Sequence, residues 1–254
     1  MTSDLGTFWG LSAGAGSPGW LTLEGLERLQ RSEVVAFPQN RAGEPGLAYQ
    51  IVRAYLRPEQ TLLALNLPFE QDLIKLEAAW RLAADQIHHY LLQGQSVVFV
   101  SEGDVSLYST FTYLAHALQH LDSRIPIQVV PGVCSPLAAV AALQCPLAIG
   151  AEKLAVLPAM YSLQDLDQAT AWADVVVLLK VAPVFHDVWR WLQQRGWLDQ
   201  ACLVEWVGHP QQQLFTNLSE LEDHHPPYFS LLILRLVKLE DKTPFHRFRT
   251  TDHV

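Results

Sequence analysis

QSVVFVSEGD, residues 95–104, is the stretch from which the rest of the chain is read. Gln95–Ser101 is a run of β-branched and aromatic residues without polar alternation, the pattern of a strand buried on both faces. Glu102-Gly103-Asp104 breaks it with two carboxylates and a glycine, and Ser109–His120 then carries a helical pattern. Upstream, Leu73, Leu76, Trp80, Ala84, Ile87 and Leu91 recur every three or four residues, marking a long amphipathic helix over Phe69–Gln93 that Gly94 closes. A buried strand between two helices is the repeating unit of a parallel α/β sheet.

The same alternation extends in both directions. Phe8–Ala13, Glu33–Pro38, Thr61–Leu67 and Ile127–Val130 are predicted strands, with a helix over Leu23–Gln30 that Thr22 caps. Further on, Leu154–Leu157, Val175–Leu179, Ala201–Val207 and Tyr228–Val237 read as strands. Leu163–Ala173 and Val184–Arg195 read as the helices between them, the second closed by Gly196. The expected fold is therefore two α/β domains, 1–130 and 131–254, with the boundary somewhere in 122–148. The tail after Lys238 is polar and is expected to fray.

Composition narrows the functional classes. At 254 residues, half of them apolar, the chain can hold one large domain or two of about 125 residues each, with material for a real core. Val175–Leu179 and Phe229–Leu234 are stopped by Lys180 and Arg235, far short of the roughly 20 apolar residues of a membrane span. Asp4 comes early, with no basic stretch before an apolar run, so no signal peptide is expected. Three cysteines (Cys134, Cys145, Cys202) without C-x-x-C spacing suit buried thiols in a reducing cytoplasm. A net charge of −9 argues against a general nucleic-acid binder, and means that an anionic substrate needs a local basic patch.

Three turns follow predicted strands, at the edge where open α/β sheets bind ligands. The first, Gly14-Ala-Gly16-Ser-Pro-Gly19, is a literal G-x-G-x-x-G and would suggest a nicotinamide-dinucleotide oxidoreductase. Pro18, Trp20 and Leu21 separate it from the helix, and the second strand ends in Phe37-Pro38 without the acidic residue a ribose needs. A glycine-rich turn lining a ligand site survives these objections; a pyrophosphate loop does not. The second turn, Ser101–Asp104, either holds a cationic or hydroxyl-bearing ligand or is an acidic turn whose Asp104 caps the next helix. The third is Val130-Pro-Gly-Val-Cys134-Ser135. Cys134 lacks a neighbouring histidine and reads as a packed thiol. His116 and His120 are spaced for metal but have no third ligand in view; no metal site is expected. His88-His89 and His224-His225 read as solvated.

Taken in order, these turns resemble those of the tetrapyrrole (precorrin) methyltransferases, whose signatures are a G-x-G-x-G-P-G-D loop, a G-D-P turn and a V-P-G turn. Ser101–Phe111 (SEGDVSLYSTF) is similar to the E-G-D-P-S-L-Y-S-T-F segment of precorrin-2 C20-methyltransferases. Leu62–Asp72 followed by Trp80, Val177–Lys180, Leu203–Gly208, Asn217–Leu221 and Tyr228–Ser230 also fall in family order, from about Phe8 to about Leu236.

The resemblance implies a mostly parallel N-terminal sheet, a mixed C-terminal sheet, an active-site cleft between them, and a homodimer. It implies S-adenosyl-L-methionine as cofactor, S-adenosyl-L-homocysteine as product, and precorrin-2 or cobalt-factor II as the tetrapyrrole substrate in corrin biosynthesis. Cofactor contacts are expected from Gly14, Glu102, Gly103, Asp104, Leu107, Cys134, Ser135, Pro158, Ala159, Met160, Leu179 and Gly208. Asp104 and Tyr108 are the candidate catalytic polar groups, and Arg41, Arg53, Arg57 and Lys180 the candidate cations for substrate carboxylates. The chain departs from the family at Ser12, Ala15 and Ser17, where Gly, Pro and Asp are common. It also departs at Val105, Leu179 and Trp206, where Pro, Met and Arg are common. These changes open the alternative of a divergent homologue with another ring position or little activity.

Overall fold

The computed structural model describes residues 5–40, 42–68, 72–158 and 162–236. Arg41, Phe69, Ala159, Met160, Val237 and the polar tail, all named above, lie outside them. The chain divides into two compact units, Met1–Cys134 and Ser135–Val254.

The first unit runs β1 (Phe8–Ser12), α1 (Leu23–Arg31), β2 (Val34–Pro38), α2 (Leu47–Val52), β3 (Thr61–Leu65), α3 (Leu73–Leu91), β4 (Val97–Ser101), α4 (Phe111–Leu121) and β5 (Ile127–Val130). The strands form one parallel sheet in the order β3-β2-β4-β1-β5. Each buried strand feeds two cores, because successive side chains point to opposite faces. Phe8, Val34, Ala36, Val97 and Phe99 pack on Ile87 and Leu91 of α3 and Leu114 and Leu118 of α4. Leu11, Val35, Phe37, Val98 and Val100 pack on Leu29 of α1 and Ala48 and Ile51 of α2. Gly10 lets the Phe111 ring, stacked on Phe8 with centroids 5.1 Å apart, lie directly on the sheet. A Cβ at Gly10 would stand 2.6 Å from that ring.

Helix ends follow local chemistry. Thr22 caps α1 by accepting from the Gly25 N–H at 3.0 Å, as its place before an apolar run predicts. Asp72 caps α3 through the N–H groups of Ile74 and Lys75. Gly196 ends its helix in the left-handed region at φ 67. The short helix α2 was not visible in the sequence.

The second unit runs α5 (Ser135–Ala142), β6 (Leu154–Leu157), α6 (Leu163–Thr170), β7 (Val175–Leu179), α7 (Phe185–Arg195), β8 (Ala201–Glu205), β9 (Gln213–Phe215) and β10 (Ser230–Arg235). Its sheet order is β6-β7-β10-β8-β9. β6 and β7 are parallel, while β10 inserts antiparallel between β7 and β8, so the sheet is mixed. Leu166 and Ala169 of α6 and Phe185, Val188, Trp189 and Leu192 of α7 bury one face of it against Val176, Leu178, Leu203 and Leu232. The Trp189 indole donates to the Leu218 carbonyl at 2.7 Å, pinning the segment between β9 and β10 onto this core.

Candidate active site

In the first sheet the chain leaves β1 toward β2 on one side, and leaves β4 toward β5 on the other, crossing over β1. The carboxyl ends of β1 and β4 therefore form the point where connections diverge, the place such sheets reserve for ligands. All three turns read from the sequence converge there, and their backbones are knotted together. Gly14 and Gly103 exchange two hydrogen bonds, Gly14 N–H to the Gly103 carbonyl at 3.2 Å and Gly103 N–H to the Gly14 carbonyl at 2.9 Å. Both sit at positive φ (81 and 69), which glycine adopts without steric cost.

Asp104 ties the second turn to the third. Its Oδ1 accepts from the Ser106 N–H at 2.7 Å and its Oδ2 from the Gly132 N–H at 2.8 Å. It does not cap α4, whose N-cap is Thr110 with no side-chain bond. Glu102 turns the other way and accepts from the Ala48 N–H at 3.3 Å, at the start of α2. Leu107 is half-buried and Tyr108 half-exposed, with Tyr108 held at φ 53. Cys134 and Ser135, both half-buried, follow the Gly132 turn and lead into α5.

Ser12, one of the departures noted in the sequence, is fully buried at the end of β1. Its hydroxyl donates to the Val130 carbonyl at 2.7 Å and accepts from the Val105 N–H at 3.0 Å. Ser17 caps the 3-10 turn Pro18–Trp20 by accepting from the Gly19 N–H at 3.3 Å. The glycine loop thus runs into this short turn, and α1 starts only at Leu23, so no helix N-terminus faces the loop as a pyrophosphate requires.

In the second sheet, Pro158, Lys180 and Trp206 directly follow the parallel strands β6, β7 and β8, so Pro158, Leu179, Lys180 and Gly208 share one edge. Lys180 (φ 53) and Trp206 (φ 49) are both left-handed, a conformation that persists only where surroundings impose it. The Trp206 N–H donates to the Phe229 carbonyl at 2.8 Å, and its indole packs on Phe229 and His209. The Gly208 N–H donates to Gln212 Oε1 at 2.8 Å.

The basic residues divide. Lys180 is exposed at this edge. Arg57 precedes β3, at the amino end of the first sheet, and pairs with Glu59 at 2.8 Å. Arg53 opens the 3-10 turn Arg53–Tyr55 that follows α2. His224 is a correction. It is not simply solvated; it bonds the buried Glu205 carboxylate at 2.6 Å. Two ring contacts, with Phe185 and Phe215, hold it there. The cysteines, expected to be buried, are half-buried thiols. Among the described residues no group of three or more His, Cys, Asp or Glu side chains could hold a metal.

The donor set is suited to a cationic, partly apolar ligand. Neither Ser12–Trp20, Ser101–Tyr108 nor Pro131–Ser135 contains a lysine or arginine. What these turns offer is two carboxylates and the half-buried Leu107, which fit the sulfonium, ammonium and hydroxyl groups and the apolar parts of an adenosyl methyl donor.

A profile of the tetrapyrrole (corrin/porphyrin) methylases matches residues 7–222. The chain belongs to this family. Among individual methylases, it is 31% identical to the cobalt-precorrin-2 C(20)-methyltransferase of Salmonella typhimurium, over 90% of this chain and 96% of the relative. It is 29% identical to the precorrin-2 C(20)-methyltransferase of a Sinorhizobium species, over 91% and 95%. The uroporphyrin-III C-methyl transferase of Thermus thermophilus, solved with S-adenyl homocysteine, shares the fold with a TM-score of 0.64 at 21% identity, covering 91% of this chain and 97% of that one.

Proposed function

We propose that this methylase transfers a methyl group from S-adenosyl-L-methionine to C20 of precorrin-2 or cobalt-factor II during cobalamin biosynthesis. The observation that carries this reading is its full-length similarity to two C(20)-methyltransferases, one named for the metal-free and one for the cobalt-containing ring. When bound, the cofactor supplies an activated sulfonium methyl, so the protein's work is chiefly to align donor and acceptor to about 3–3.5 Å. In this proposal Gly14, Glu102, Gly103, Asp104, Leu107, Cys134 and Ser135 hold the donor. Pro158, Ala159, Met160, Leu179 and Gly208 are the further donor contacts that the family resemblance implies. Lys180 binds a substrate carboxylate. Tyr108, half-exposed on strained backbone beside the acidic turn, is the candidate for handling the ring proton, while Asp104 positions the turns.

Incubating the pure protein with S-adenosylmethionine and either precorrin-2 or cobalt-factor II, then weighing the macrocycle and locating the added methyl by NMR, tests the reaction and the metal question together. One added methyl on C20 of either ring supports the proposal; none on both rejects it. The loss of a family carboxylate at Ser17 favours the second reading, a divergent methylase with another ring position or little activity. A methyl found elsewhere on the ring would select it. The proposal extends to a homodimer working in the cytoplasm, as the family resemblance implies. A solution mass of 28.5 kDa, that of one chain, would reject the dimer. Among the described residues no helix is long and apolar enough to cross a membrane.

A further inference from the structure

Ser12 sits where the family commonly has glycine, yet its hydroxyl both donates and accepts a hydrogen bond. It is wholly inaccessible, at the end of the strand that lies between β4 and β5. One hydrogen bond goes out to the Val130 carbonyl, the last residue of β5, at 2.7 Å. One comes in from the Val105 N–H, in the turn after β4, at 3.0 Å. Val105 and Val130 are themselves buried, so neither backbone group has ready access to water. The side chain also fits against a glycine: a Cβ on Gly132 would lie 2.5 Å from the Ser12 Cβ. Gly132 in turn donates to Asp104, so the serine, the aspartate and the glycine close a ring through all three turns.

We propose that Ser12 is a positioning residue for the methyl donor. Its hydroxyl sets the spacing between the Ser101–Leu107 turn and the Pro131–Ser135 turn, and donor affinity depends on that spacing. The inference rests on the reading that these turns hold the donor. It differs from a packing role, because a residue that merely fills space would affect stability without changing donor affinity in the protein that remains folded.

Calorimetry with S-adenosyl-L-homocysteine on the wild type, Ser12→Ala and Ser12→Gly tests it, beside thermal unfolding of each without ligand. Leu29→Ala, in the α1 core away from the turns, serves as the destabilised control. Losing the hydroxyl should weaken homocysteine-product binding roughly tenfold, the effect of about one net hydrogen bond. It should also raise KM for S-adenosylmethionine more than it lowers kcat. The control should unfold at least as easily and keep wild-type affinity. Ser12→Gly restores the family's common residue and guards against an alanine variant that fails to fold. Wild-type affinity in either serine variant, or an equal loss in Leu29→Ala, overturns the proposal while leaving the site assignment standing. Failure of the wild type to bind S-adenosylhomocysteine overturns both.

Discussion

Asp104→Asn separates a strap from a base. The carboxylate accepts one backbone N–H on each oxygen, from Ser106 at 2.7 Å and Gly132 at 2.8 Å. Asparagine has one carbonyl oxygen, so whichever N–H it keeps, its own NH2 is turned toward the other. The Ser106 bond is local and exposed, and its loss costs little. The Gly132 bond spans two turns and is part-buried. Removing a charge-assisted bond of this kind costs about 1.5–3 kcal/mol, so about 2 kcal/mol of folding stability should go. Urea unfolding measures that loss, and steady-state methyl transfer at saturating substrates measures the chemistry. The strap predicts an earlier unfolding midpoint, a raised donor KM, and kcat within about tenfold of wild type. A general base contributes about 10²–10⁴-fold. Unchanged stability with kcat down a thousandfold would refute the strap and make Asp104 the proton acceptor.

Other perturbations follow from the same geometry. Gly10→Ala drives a Cβ to 2.6 Å from the Phe111 ring and should destabilise the first unit by about 1–3 kcal/mol, read by chemical denaturation; a neutral result would mean that Phe111 moves freely. Lys180→Glu should weaken binding of the polycarboxylate substrate while sparing S-adenosylhomocysteine, whereas Arg57→Glu, at the far end of its sheet, should alter neither in titration calorimetry. An Arg57 effect as large as that of Lys180 would contradict the placement. The side-chain bonds from Arg124 hold the Asp122 carboxyl well below its ordinary value of 3.8. A depressed carboxyl stabilises above that ordinary value and loses its contribution as pH falls toward the folded one. The gap in melting temperature between wild type and Asp122→Asn should therefore be full near neutrality and shrink below about pH 4; a gap independent of pH would count against the pair.

Strands were legible because burial on both faces leaves an unbroken apolar run, and β4, β5, β6 and β7 begin or end within two residues of the runs predicted for them. Short elements were not. The helix α5, Ser-Pro-Leu-Ala-Ala-Val-Ala-Ala, is apolar nearly all round, so it has no period to detect, and β9 is three residues on an edge. The site divides in the same way. Pro158, Lys180 and Gly208 could be placed because each follows a strand. Arg57 precedes one, and strand polarity puts it at the amino end of its sheet. The partners of Asp104 and His224 stand 28 and 19 residues away, and no spacing rule links a carboxylate to a distant backbone N–H or a histidine to a buried glutamate.

The place of β10 sets an order of assembly. Every strand of the first sheet lies within the first 130 residues, so that sheet can close while the remainder of the chain is still being translated. The second sheet cannot, because the strand between β7 and β8 is made after both. Until Ser230–Arg235 leaves the ribosome, β6–β7 and β8–β9 are two fragments, each with an open edge of unpaired peptide groups. A nascent chain paused in the segment before Ser230 would thus expose a half-built second sheet after the first is finished, and that interval is when chaperone contact would matter most.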